Sequence, residues 1–244
     1  MEASALRVNE GKKAVVNAGG ENYNCFAIKT KVVTDADKMD DVVREYAKPL
    51  LENGDTLFIS EKMLACTQGR AIRIKTIKPG FLARLLSRFV MKSPAGIGLS
   101  MPETMQCALD ECGAPRILLA AFVGAVGKLF RKRGWFYKVA GYKAACIDGP
   151  CSYTIPPYNE CVVLAPKDPD GAAKAASDTL GGATVLVVDI NDLGGSILGR
   201  SHPVDDKRIL ELLRQNPLGQ SSESTPMGIL RPMKEMASSI TGDS

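Results

Sequence analysis

The sequence is poor in several of the features that announce a mechanism. It has one histidine, His202, in a polar loop before Pro203. A Ser-His-Asp triad would have to use it, and no GxSxG elbow surrounds any serine, so nucleophilic hydrolysis is disfavoured. A general-base role for His202 stays open. The phosphate-binding patterns GxxxxGK[ST] and GxGxxG are both missing, so neither mechanism has a sequence warrant. The seven cysteines are odd in number and form no CxxC pair, which argues against a disulfide framework or a zinc ribbon. Cys66, Cys146 and Cys161 lie in apolar surroundings and are expected to pack as small hydrophobes. Cys151 sits in a Gly-Pro turn and is the thiol to watch. No apolar run approaches the roughly 20 residues needed to cross a bilayer. The longest, Ile117 to Val126, stops at Gly127 and Lys128. The stretch from Met1 to Gly20 lacks the apolar core of a signal peptide, so a cytoplasmic location and no membrane partner are expected. A net charge of +4 is too weak to demand a nucleic-acid partner.

What is present reads as a mixed α+β protein. Residues 1–24 form a polar lead-in with a weak strand at Ala14 to Val16, and residues 232–244 form a flexible tail. Between them, 25–33 alternates as a strand and 35–51 reads as a helix capped by Asp35 or Asp37. Thr56 to Ser60 is a short buried strand leading into a helix or turn over 61–68. Residues 79–91 carry Leu82, Leu85, Leu86, Phe89 and Val90 on one side, with Arg84, Arg88 and Lys92 mostly opposite. That is a surface helix, a membrane-surface helix being the alternative. Pro102 to Cys112 is a helix closed by Gly113. Residues 117–130 are apolar nearly all round and are expected to be buried, with Gly124 and Gly127 allowing close packing. Residues 131–138 mix cations with aromatics. They read as a solvated basic turn before a strand, a grip on nucleic acid, or a neighbour of a phosphate-bearing substrate.

Lys143 to Ile147 reads as a strand ending at Asp148, and 153–157 as extended chain. Residues 160–164 form another strand. Asp168 caps a helix over 172–180, with Pro169 at its first position and Asp170 near its positive end. Ala183 to Val188 is the clearest buried strand, ended by Asp189. A helix over 205–215, a loop over 216–225 and a strand over 227–230 follow.

Asp148 and Asp189 thus each leave the carboxyl end of a strand, where open α/β sheets bind ligands. Two carboxylates there can hold hard divalent cations that grip phosphates, or can be turn formers. The 216–226 loop, rich in glycine and hydroxyl residues, can form an anion-binding nest or a plain flexible loop.

Several segments, in order, resemble the coenzyme F420-0:γ-glutamyl ligase family. Asn53-Gly54-Asp55 with its strand, Glu61-Lys62 and Gln68-Gly69-Arg70 resemble its "GD-strand-QK…EGR". Ala145-Cys146-Ile147-Asp148 resembles "AGID", and Pro166 to Gly171 resembles "PxDPD". Val188-Asp189-Ile190 resembles "TDT", and the Gly219–Pro226 loop with Met227 to Arg231 resembles the closing loop and strand. The resemblance implies one ligase-like domain over 25–231, with 81–135 expanded, in a homodimer. It implies GTP as co-substrate, magnesium or manganese as cofactor, and an amino acid such as L-glutamate joined to a phosphate-bearing small molecule through an acyl phosphate. It places Asp148 and Asp189 on the metal-binding aspartates, and Lys62, Gly219, Gln220, Ser221, Ser222 and Glu223 on nucleotide-contacting segments. Cys66 stands where the family has a lysine, Ile190 where it has a threonine and Cys151 where it has an asparagine. Those departures make a non-catalytic binding homologue the alternative.

Overall fold

The computed structural model describes residues 5–90, 98–132, 134–192, 194–219 and 222–233. The chain begins with β1 (Leu6–Arg7), β2 (Val15–Ala18) and β3 (Glu21–Ile28), followed by α1 (Met39–Val42). β4 (Thr56–Ser60) runs directly into α2 (Glu61–Thr67), and β5 (Ala71–Arg73) follows. A helical run comes next: α3 (Phe81–Ser87), α4 (Pro102–Cys112), α5 (Ala114–Leu129), α6 (Trp135–Ala140) and α7 (Tyr142–Ala145). The chain closes with β6 (Cys161–Val163), α8 (Pro169–Thr179), β7 (Thr184–Asn191), β8 (Gly194–Arg200), α9 (Asp206–Leu212) and β9 (Met227–Pro232). The fold is α+β, as expected.

The main sheet runs β1-β3-β9-β4-β7-β8, with β2 beside β1 on the same edge of β3. Only β4 and β7 are parallel; every other pairing in it is antiparallel. Alternation along the central strands fills both faces, which is why their sequences are continuously apolar. Leu57, Ile59, Val185, Val187, Met227 and Ile229 point to the core under α1, α2 and α8. Phe58, Leu186, Val188 and Leu230 point the other way, toward Leu212 and Leu213. Phe58 lies opposite Gly228 in the register, and a Cβ there would collide with the Phe58 ring. A separate core gathers α3 to α7 around Leu99, Met105, Ile117, Ile147 and Val162.

Several expectations hold. α4 keeps its expected bounds. Asp168 caps α8 by accepting from the Gly171 N–H at 3.1 Å, and the helix expected over 205–215 forms as α9, which Asp205 also caps. Gly127 lies so near α6 that a Cβ would meet Trp135 at 3.1 Å.

Others are corrected. Residues 35–51 are not one α-helix: α1 passes into a π turn over Val43–Ala47 and a 3-10 turn over Lys48–Leu50. Neither Asp35 nor Asp37 caps it. The cap position is Lys38, and Asp37 instead accepts from the Thr34 N–H at 2.8 Å and pairs with Lys31 at 2.6 Å. Local turn bonds of this kind compete with capping. Residues 143–147 are not a strand, because Gly141, at φ +89°, separates two helices. A short apolar run does not distinguish strand from buried helix. The 153–157 stretch turns rather than extends, with Tyr158 N–H donating to Ile155 O at 2.9 Å. The basic-aromatic run leads into a helix, α6, not a strand. β7 does not end at Asp189 but continues to Asn191 and returns as β8. The glycine-rich sequence of β8 hides it from any apolar pattern. Finally, α5 is not buried: among its residues only Ile117, Ala120 and Gly127 are. No single helix among the described residues is long and apolar enough to cross a membrane, although α4 and α5, bent by 117°, pass that test together on length and composition.

Candidate functional site

The parallel pairing of β4 and β7 builds the site. Ser60 lies opposite Val188, so the next residues, Glu61 and Asp189, emerge together at the carboxyl edge of the sheet. Ser60 caps α2 by accepting from the Met63 N–H at 3.2 Å, which fixes Glu61 in the first helical turn. Asp148 arrives from the helical unit. A backbone bridge to Val163 holds it, with both N–H···O distances 2.9 Å. Lys62 meets Asp148 at 2.8 Å and is largely exposed at the cavity mouth.

Glu61 is 5% exposed, and its Oε2 has no hydrogen-bond partner among the described residues. Ligand atoms of Glu61, Cys146 and Asp189 all lie within 4.8 Å of one another. Burial, then the nearby Asp189 charge, hold the Glu61 carboxyl well above the usual range, despite a hydrogen bond with Cys146. Burial and the Asp148 charge raise Asp189, against an opposing pull from Lys62. Burial first, and the Glu61 charge next, push the Cys146 thiol up. Partial desolvation opposes the Lys62 charge, but the Asp148 carboxylate outweighs it and raises its pKa. Crowding and burial therefore disfavour charge on Glu61 and Asp189 in the absence of a cation.

Glu61, Lys62, Asp148 and Asp189 line a cavity of about 430 Å³. Its wall also includes Lys31, Tyr137, Cys151, Ile190, Gly219 and Glu223. Gly219 adopts φ +78°, and a Cβ would meet the Glu223 carboxylate carbon at 2.5 Å, so glycine suits the position on both counts. The chain flanking them is held: Thr225 Oγ1 donates to Leu218 O at 2.7 Å, and Asn9 Nδ2 donates to Pro217 O at 2.8 Å. The Gly219 N–H itself donates to Asn216 O at 3.1 Å.

Of the residues singled out in the sequence, Lys62, Asp148, Asp189, Gly219 and Glu223 share this cavity. Ser222 is exposed outside its lining. Gln220 and Ser221 lie outside the described residues. His202 lies in a separate groove beside Asp170 and Arg200. From the basic-aromatic run only Tyr137 lines the cavity; Arg133 lies outside the described residues. Glu61 and Cys146 escaped the sequence reading as chemical groups. The signal for Glu61 was its place directly after a buried strand, the same pattern that marked Asp189. Cys66 and Ile190 also line the cavity, so the departures from the family pattern fall in its wall.

A search of curated proteins returned no match to this chain. A model of the family described as F420-0:Gamma-glutamyl ligase matches residues 27–198, a span that holds Glu61, Lys62, Asp148 and Asp189. The match covers most of the chain, and the protein belongs to the F420-0:γ-glutamyl ligase family.

Proposed function

We propose that the protein is a metal- and GTP-dependent amide ligase, joining an amino acid such as L-glutamate to a carboxylate on a phosphate-bearing small molecule through an acyl phosphate. The observation that supports this is the convergence of Glu61, Asp148 and Asp189 on one cavity around a buried, unpartnered Glu61 oxygen. Carboxylate oxygens suit magnesium or manganese. Asp148 and Asp189 would hold the ion; Glu61 and Cys146 lie within 4.8 Å of Asp189, while Asp148 reaches the same cavity paired with Lys62. Bound there, the ion would neutralise phosphate charge as transfer proceeds.

The protein's own groups divide the remaining work. Lys62 keeps its proton and is aimed by Asp148, so it offers a fixed positive charge to a phosphate at the mouth. Gly219 and Glu223, which line the wall, would face the nucleotide. The 25–231 unit acts as one ligase domain, with Gly98 of the 81–135 expansion and Tyr137 just beyond it lining the cavity on the acceptor side. The family's homodimer and a cytoplasmic location belong to the same reading. Cys66 and Ile190 favour a second reading, a nucleotide-binding homologue without ligase chemistry, because neither side chain supplies the cation or oxygen that the family has there.

The test is isothermal titration of GTP with magnesium or manganese, followed by phosphate release with L-glutamate and the F420-0 acceptor. Binding is expected, with loss in Asp189→Asn. No binding with either metal refutes both readings, whereas binding without glutamate-dependent phosphate release supports the second.

A further inference from the structure

Charge is divided unevenly along the chain. Residues 71–147 hold thirteen lysines and arginines against three acidic residues, a net +10, so the remainder carries −6 of the overall +4. This basic stretch includes the whole helical unit, and its outer surface is apolar as well as basic. On α5, Leu119, Phe122 and Leu129 are 55%, 68% and 81% exposed, and Phe130 follows at 66%. On and just after α3, Phe81 and Phe89 are 83% and 68% exposed. The end of α5 reaches the turn after α3: Lys128 Nζ donates to Phe89 O at 2.8 Å, which brings Phe89 beside the end of α5. Exposed Arg84, Arg88, Arg131 and Lys132 flank these ends.

We propose that this face docks on an anionic lipid bilayer, its leucines and phenylalanines entering the acyl boundary and its cations resting on headgroup phosphates. A basic amphipathic surface with aromatic residues has the composition that binds such interfaces. Charge complementarity selects this occupant. A second copy meeting the same patch about a two-fold axis would press two strongly positive surfaces together. A nucleic acid would satisfy the cations but gain little from the leucines, because its backbone presents phosphates. α6, packed against α5, supplies Tyr137 to the cavity wall, so the unit that carries the face also borders the candidate site.

The experiment is flotation of the full chain with phosphatidylcholine vesicles, with and without phosphatidylglycerol. Binding is expected only to the anionic vesicles, weakening as salt rises. Arg131→Gln combined with Lys132→Gln should lower the partition coefficient about 25-fold, at about fivefold per charge. Phe122→Ser should lower it at least about tenfold. These side chains are exposed, so melting temperature should not move; if Phe122→Ser does shift it, Leu119→Ser replaces it. Absence of binding, equal binding to neutral vesicles, or binding indifferent to Phe122→Ser and Leu119→Ser overturns the proposal. So does a dimer in sedimentation that either serine variant dissolves, or tight binding to an oligonucleotide duplex that survives them.

Discussion

Asp55→Ala separates what holds the sheet together from what the cavity does. Asp55 is 4% exposed. Its carboxylate accepts from Arg231 Nε at 2.9 Å, from Arg231 Nη2 at 2.7 Å and from the Glu52 N–H at 2.8 Å. Arg231 has two further partners, Leu50 O at 2.8 Å and Glu52 Oε1 at 2.5 Å. The pair ties the start of β4 to the end of β9, at the sheet edge opposite Glu61. Removing one partner of a buried pair costs about 3–5 kcal/mol, because the other charge is left uncompensated. Arg231 keeps Glu52, so the lower end applies, about 3 kcal/mol. For a chain of this size each kcal/mol moves the melting temperature about 2–4 °C, which gives a drop of about 6–12 °C. Glu52 is exposed, and Glu52→Ala should cost at most about 1 kcal/mol. Thermal and urea melts of both variants decide the matter. A loss in Asp55→Ala no larger than in Glu52→Ala would show that the buried pair is not the clamp described here. GTP titration below the melting range should be unchanged, since the pair touches no cavity wall.

Three further outcomes are expected. Glu61 has a folded pKa above its ordinary 4.5, so above that pH the folded chain keeps a proton that the unfolded chain releases. Stability of the metal-free protein therefore falls as pH rises toward the folded value. Glu61→Gln should lessen that fall, Asp189 supplying the rest, and leave the protein more stable than the parent at neutral pH, as read from urea melts in chelator at acidic and neutral pH; an unchanged pH profile refutes it. Gly228→Ala should overpack against Phe58 and cost about 1–3 kcal/mol, whereas the double variant with Phe58→Leu should recover part of it. Asp168→Ala should cost about 1 kcal/mol through loss of the α8 cap, with Asp168→Asn nearly neutral in the same melts.

Much of this protein is legible in its residues. The apolar runs of β4, β7 and β9 announce a sheet buried on both faces, because alternate side chains must all find cover. Asp168-Pro169 and Asp205 mark helix starts by local hydrogen bonding, which needs no tertiary partner. The ordered motifs point to the family, and they place Asp148 and Asp189 where the fold brings them together. Tertiary structure alone decided the rest. Lys143 to Ala145 became helix because Gly141 breaks the chain there, and the helical core takes up Ala144 and Ile147. β8 exists because β7 offers an open edge, not because glycine and serine favour a strand. α5 is apolar all round, yet its neighbours cover only one side. Glu61 became part of the cluster because parallel pairing sets Ser60 against Val188. Local sequence determines which residues can turn, cap or bury, and the pairing of strands distant in the chain determines which carboxylates share a cavity.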